Sequence, residues 1–162
     1  MRRRAFLAAG LTVSAGCARR GPWRFFTAEE AATLEAICAR VIPEDRDPGA
    51  VRAGVVNFID IQMTRVYRPL RKTYREGIAG VDRQSVLLHA RKFTELSPDA
   101  QDALLALIER DARLKPFFDL VVAHTMQGFY GDPRHGGNRD RASWKMLGVP
   151  YPPLRGRRKD NA

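Results

Sequence analysis

The sequence predicts an all-α protein, an irregular bundle of about five helices with a loop-rich arm at its C-terminal end. Three observations predict it. Apolar residues recur at helical spacing in successive segments of the 162-residue chain. Helix start and stop signals punctuate those segments. No run alternates apolar and polar residues as a half-buried strand would.

Gly21-Pro22-Trp23-Arg24 reads as a short linker. Thr27-Ala28-Glu29-Glu30 carries the pattern of a capping box, in which Thr27 accepts from the Glu30 amide and Glu30 reaches back. Leu34, Ile37, Cys38 and Val41 follow as one stripe, and the helix must end before Pro43. Residues 43–49, with two prolines and a glycine, form a loop. A second helix is expected over about Val51–Tyr67, burying Val55, Phe58, Ile59, Met63 and Val66. Pro69 separates it from a third, about 70–91, whose stripe of Leu70, Tyr74, Ile78, Val81, Val86 and Leu88 is interrupted by Gly77 and Gly80. Ser97-Pro98-Asp99 starts the fourth: Ser97 caps, Pro98 takes the first helical position and Asp99 suits the positive helix end. Leu104, Leu107 and Ile108 form its stripe. The fifth runs from about Pro116 to Phe129, with Phe117, Leu120, Val121, His124 and Phe129 inward.

After Tyr130 the pattern changes. Residues 131–140 are turn chemistry, Gly131-Asp132-Pro133-Arg134-His135-Gly136-Gly137-Asn138-Arg139-Asp140, and 142–153 mix Trp144, Met146, Leu147 and Tyr151 with prolines. Glycines allow close backbone approach, Arg134, Asn138, Arg139 and Asp140 offer directional polar contacts, and Tyr130, Trp144 and Tyr151 are residue types that anchor interfaces. Two readings stand side by side. The arm is a partner interface, with Asp132, His135, Gly136 and Gly137 in the same stretch. Alternatively it folds back over its own helices, with Trp144 plugging the core. Residues 154–162 read as a basic disordered tail.

The N-terminus opens Met1-Arg2-Arg3-Arg4-Ala5-Phe6-Leu7. Arg3-Arg4-x-Phe6-Leu7 resembles the twin-arginine export signal, with the leader spanning 1–16 and a short, weakly apolar stretch behind the arginines. Arg19 and Arg20 hinder the general secretory route and are tolerated by the twin-arginine one. Ser14-Ala15-Gly16-Cys17 resembles a lipobox in which Cys17 would be lipidated, although Ser14 stands where Leu is usual. The leader implies a periplasmic protein, at the inner membrane through a complex or a lipid on Cys17. Its translocase carries folded cargo, chiefly proteins loaded with a cofactor before export.

The formal net charge is +10. The basic residues are scattered apart from Arg155, Arg157, Arg158 and Lys159. They fit a solvated surface, an acidic partner or anionic headgroups, and an exported chain argues against nucleic acid. No run of about 20 apolar residues is present, so no transmembrane helix is expected. Two cysteines, Cys17 and Cys38, cannot make a disulfide framework. Cys38, among Leu34, Ile37 and Val41, reads as a buried thiol, the alternative being a bond to a partner chain.

No chemistry-bearing constellation emerges. There is no dinucleotide-binding glycine motif after a strand, no haem-attachment motif and no four-cysteine cluster set. Serine-hydrolase elbows are absent. His89, His124 and His135 are the only histidines; His124 and His135 could meet Asp132 and Asp140 near one loop, but no paired-histidine metal motif exists. The chain is therefore expected to hold no cofactor, no metal and no catalytic residue of its own.

Residues Thr125 to Pro133, then Gly136-Gly137-Asn138-Arg139-Asp140 and Trp144-Lys145-Met146-Leu147-Gly148, resemble the gluconate 2-dehydrogenase subunit 3 family. Phe26 to Glu30 through Ile42-Pro43, Ala53-Gly54-Val55 and Phe58-Ile59-Asp60 are similar to the same family, so the likeness runs over about 25–150. The resemblance implies a non-catalytic small subunit. Its large partner would bind FAD and oxidise a sugar or sugar acid, and a cytochrome c subunit carrying haem c would pass electrons on. The small subunit would carry the export signal for the leaderless large one. The alternative is a stand-alone periplasmic lipoprotein binding another protein.

Overall fold

A computed structural model describes residues 23–150. Six α-helices make up the described chain, with no strand among them: α1 (Ala28–Val41), α2 (Val55–Met63), α3 (Arg71–His89), α4 (Pro98–Ile108), α5 (Lys115–Tyr130) and the five-residue α6 (Ala142–Met146). The bundle is all-α as the sequence predicts, and the sixth helix is a short turn inside the arm. The expected Arg3, Arg4, Phe6, Leu7, Cys17 and Tyr151 lie outside the described residues.

Helix α1 begins where the capping box places it. Thr27 Oγ1 accepts from the Glu30 amide at 3.1 Å and the Thr27 amide donates to Glu30 at 2.8 Å. Leu34, Ile37 and Cys38 are buried, and α1 packs against α2, α3, α4 and α5. Helix α4 likewise starts at Ser97, which accepts from the Ala100 amide. Arg40 on α1 clamps Asp102 on α4 through two 2.6 Å bonds, which lowers the Asp102 pKa.

Helix α2 is shorter than its apolar pattern suggests. Gly54, at φ +69°, precedes its first residue, so Val51–Ala53 form a turn rather than a helical first turn. At the other end Thr64 Oγ1 donates to the Ile61 carbonyl and the Tyr67 amide reaches back to Gln62, closing the helix. Val66, expected on the buried stripe, is 73% exposed for that reason. Val86, Leu88 and Leu107, also expected inward, are exposed. Val86 and Leu88 fall in register by periodicity, but α3 runs past the body that its first four turns pack against.

Gly77 and Gly80 mark a contact face. A Cβ at Gly77 would overlap the Phe117 ring, and one at Gly80 would overlap Leu114. The two glycines let α3 lie close to α5, so they belong to the packing and do not interrupt it.

A buried acid ties the N-terminal segment to this body. Asp60 of α2 is fully buried; its Oδ2 accepts from the Arg24 amide at 2.6 Å, and its Oδ1 from the amides of Phe25 (2.9 Å) and Phe26 (3.1 Å). Phe26 enters the core beside Tyr74, with ring centroids 6.0 Å apart. One carboxylate thereby satisfies three donors that α1 cannot satisfy itself. Replacing Asp60 by Ala leaves those amides without partners and is expected to cost about 2–4 kcal/mol, read as a lowered urea midpoint at unchanged slope.

Candidate functional site

The arm folds back across the groove between α2 and α5, and glycines decide how close it comes. Gly128 on α5 faces Phe58 and Val55 of α2; a Cβ there would stand 2.9 Å from the Phe58 ring. The Gly128 carbonyl accepts from the Asn138 amide at 2.8 Å, and a Cβ at Gly137 would collide with that carbonyl. Gly136, at φ +97°, lies against Ile61, and its carbonyl accepts from Asn57 Nδ2 at 2.7 Å. The Arg139 amide donates to the Ala53 carbonyl at 2.9 Å.

Asn138 is the hub. It is fully buried in the left-handed region, at φ +43°. Its Nδ2 donates to the Gly131 carbonyl at 2.9 Å and its Oδ1 accepts from the Ser143 amide at 3.0 Å. Buried Ser143 donates in turn to the Phe129 carbonyl at 2.6 Å. Asparagine tolerates this backbone region and offers both a donor and an acceptor, which explains its place between two glycines and an arginine. Trp144 does not plug the core. It is half-buried on α6, and its indole N–H donates to the Tyr130 carbonyl at 2.8 Å. The residue beside it, Ser143, takes the buried position, which apolar content alone does not indicate.

The residues expected at an interface therefore divide. Gly137 and Asn138 are inward. Tyr130, Arg134, His135, Arg139 and Asp140 are on the outer face, where Leu147 and Val149 are also exposed. Asp132 caps its own turn, accepting from the Arg134 amide and guanidinium; this guanidinium holds the Asp132 pKa down at about 2. Asp140 (φ +57°) and Arg141 (φ +58°) also sit in the left-handed region, so three of four successive non-glycine residues have positive φ, a conformation that strains Arg141 most. Such conformations persist where surroundings over-determine them, and they cluster at functional sites, whether active sites, ligand clamps or switch regions. Beside them a groove of about 310 Å³ separates Arg46, Pro48 and Arg52 from Arg139, Asp140 and Lys145. The Arg139 guanidinium lies over Gly54, which has room for it because it lacks a Cβ. Burial raises the pKa of Glu35 nearby, and Arg139 opposes that rise.

Behind the arm, α5 presents His124 to the core. The Tyr74 hydroxyl and His124 Nδ1 are 2.7 Å apart, and Tyr67 stacks on the imidazole with centroids 3.9 Å apart. The Tyr67 hydroxyl donates to Gln127. Burial pushes the His124 pKa down to about 4, the direction expected for a neutral core histidine. Cys38 is fully buried and accepts from the Thr125 hydroxyl at 3.2 Å; burial pushes the thiol up to about 12. This is the inert setting expected of a structural thiol, and a bond to another chain would require the core to open. Among the described residues no group of three or more His, Cys, Asp or Glu is placed to hold a metal ion, and no helix is long and apolar enough to cross a membrane.

The class defined by these features is an all-α helical domain whose most elaborate backbone is the arm packed across α2 and α5. The gluconate 2-dehydrogenase subunit 3 family model matches residues 28–150, and the chain belongs to that family. No curated protein and no solved structure matches it. As a family member it is an accessory subunit of a dehydrogenase complex, associated with other dehydrogenase subunits.

Two outcomes test this geometry. Gly137→Ala forces the arm off Gly128 and is expected to destabilise by about 2–4 kcal/mol, with the arm's amides losing hydrogen-exchange protection first. Acid acts through His124. Its folded pKa lies below the unfolded value, so it contributes stability fully above about pH 6.5 that is lost as pH falls toward about 4. His124→Gln should flatten the stability profile in that window. The contribution of Asp132 instead disappears below about pH 3.8, as its lower folded pKa is approached.

Proposed function

We propose that this chain is the non-catalytic small subunit of a periplasmic flavin-dependent dehydrogenase of the gluconate, glucose or polyol type. In this reading it carries the twin-arginine signal and escorts an FAD-binding large subunit through the translocase. The observation that carries the reading is a mismatch. Arg3-Arg4-x-Phe6-Leu7 suits folded, cofactor-loaded cargo, yet the described domain closes around its own side chains and displays contact chemistry. A second polypeptide travelling with it resolves the mismatch, and membership of a dehydrogenase-subunit family supports that partner. FAD then belongs to the large subunit, haem c to a cytochrome subunit, and the complex works at the periplasmic face of the inner membrane.

The outer face of the arm is the first surface assigned to the partner. Tyr130, Leu147 and Val149 supply apolar area there, and Arg134, His135, Arg139 and Asp140 supply polar contacts. Held in place by Asn138, the arm binds without an ordering cost.

The test is co-expression of tagged chain with the flavoprotein, followed by cell fractionation. Wild type is expected to bring flavin absorbance and a larger protein into the periplasmic fraction. Arg3→Lys with Arg4→Lys should leave nearly all of both in the cytoplasm. Recovery of the exported chain alone, free of flavin, would overturn the reading.

A further inference from the structure

The C-terminal end of α3 carries an apolar knob that the fold does not use. Val86, Leu87 and Leu88 are 51%, 76% and 52% exposed, the longest run of exposed large aliphatics among the described residues. Solvated aliphatics scattered singly need no explanation, but three in succession at a helix end do. A groove of about 540 Å³ with an almost wholly apolar lining runs beside Leu87, bounded by Asp82, Arg83, Val86 and Lys92.

The platform is rigid. Ser85 Oγ donates to the Arg91 carbonyl at 2.7 Å. Asp82 turns inward, accepting from the Thr33 hydroxyl at 3.2 Å and the Phe93 amide at 3.3 Å. Phe93 is buried in the core, so the chain leaving α3 is pinned directly beneath the knob. Ala90, at φ +55°, ends the helix abruptly and leaves its last turn projecting.

The rim is basic. Arg83, on the groove's lining, forms no ion pair among the described residues, and Lys92 makes only a long, exposed one to Glu29 at 3.8 Å; Arg91, next to Lys92 in the chain, is exposed but outside the lining. With Asp82 directed into the protein, the groove presents positive charge around an apolar centre. The surface it complements is an apolar socket with carboxylates at its edge. A protein fits this better than a lipid surface does. The tip has no Trp, Tyr or Phe of the kind that settles at a headgroup layer. It also lies toward the opposite end of α3 from Phe25, near the start of the described chain. The chain joins the domain at Phe25, whose ring is covered by the Arg71 and Arg75 guanidinia at 5.0 and 4.8 Å. At 1.5 Å per residue, Leu87 is about 20 Å further along the axis.

We propose that the Val86–Leu88 knob and its groove are a second docking surface for the large subunit, inserted into an apolar, acid-rimmed socket on that protein. The inference rests on the accessory-subunit reading above, and Leu87 is its anchor. With the arm it makes the contact two-sided, so that neither face alone accounts for the binding.

The experiment is recovery of flavin per mole of tagged chain from cells co-expressing the large subunit. Leu87→Asp is compared with wild type and with Val66→Asp, a similarly exposed valine beyond the other end of α3. Leu87→Asp is expected to lower recovery about tenfold or more, with unchanged helicity and melting temperature, while Val66→Asp behaves as wild type. Leu87→Ser serves as the uncharged second variant and should also weaken recovery. Full recovery with both Leu87 variants would overturn the proposal and leave the accessory-subunit reading standing. No flavin with wild type would overturn both. A wild-type chain that self-associates when purified alone and is split by Leu87→Asp would assign the knob to a second copy. Leu87-dependent binding to anionic vesicles would assign it to lipid. Either result overturns the proposed socket.

Discussion

The α2–α5 contact at Gly128 is the constraint on which the rest of the molecule depends. Without a side chain there, Phe58 and Val55 reach the helix backbone and the two helices close. The carbonyl of the same residue accepts from the Asn138 amide, and the missing Cβ of Gly137 lets that approach happen. Core and arm are thus determined together. Bringing α2 and α5 closer builds the surface on which the arm lies, and the arm supplies donors to carbonyls that the helices leave open. The Gly-Gly-Asn-Arg-Asp stretch is the complement of one glycine on α5.

Much of this architecture is legible in the residues, because it rests on local rules. The capping box at Thr27, the Ser97-Pro98 start and the apolar stripe of α5 all appear where the sequence puts them. What is not legible depends on partners distant in the chain. Nothing near Asp60 announces that it will hold three amides from residues 24–26, since carboxylates on an apolar stripe ordinarily read as solvated. Helical period cannot reveal that α3 outruns its neighbours, so Val86 and Leu88 look like core and are not. Trp144 has the bulk of a core residue, but the site beneath the arm is lined by backbone carbonyls. There a hydroxyl is worth more than an indole, and Ser143 occupies it.

The buried polar groups share a pattern that bears on function. Asp60 and the His124–Tyr74 pair join segments far apart in sequence, Asn138 and Ser143 tie the arm to the end of α5, and no described buried side-chain polar atom lacks a partner. Their effect is to fix the relative positions of the segments they join. Burial drives His124 toward its neutral form and Cys38 toward its thiol, the less reactive state of the cysteine and a fixed charge state for the imidazole.

Charge completes the picture of an assembly component. Of the 28 basic residues, five precede Trp23 and four follow Pro150, where one acid also lies, so the described domain holds 19 basic residues against 17 acidic and is nearly neutral. The large positive balance of the whole chain therefore belongs to its ends. Nearly neutral domains gain little from long-range steering, and their specificity must come from shape and from local charge. The strained, solvent-facing Asp140 and Arg141 and the projecting α3 tip are the two places where shape is most pronounced and least explained by the fold itself. In the proposed assembly these two outward features are the surfaces given to the partner, while the interior fixes the positions they hold.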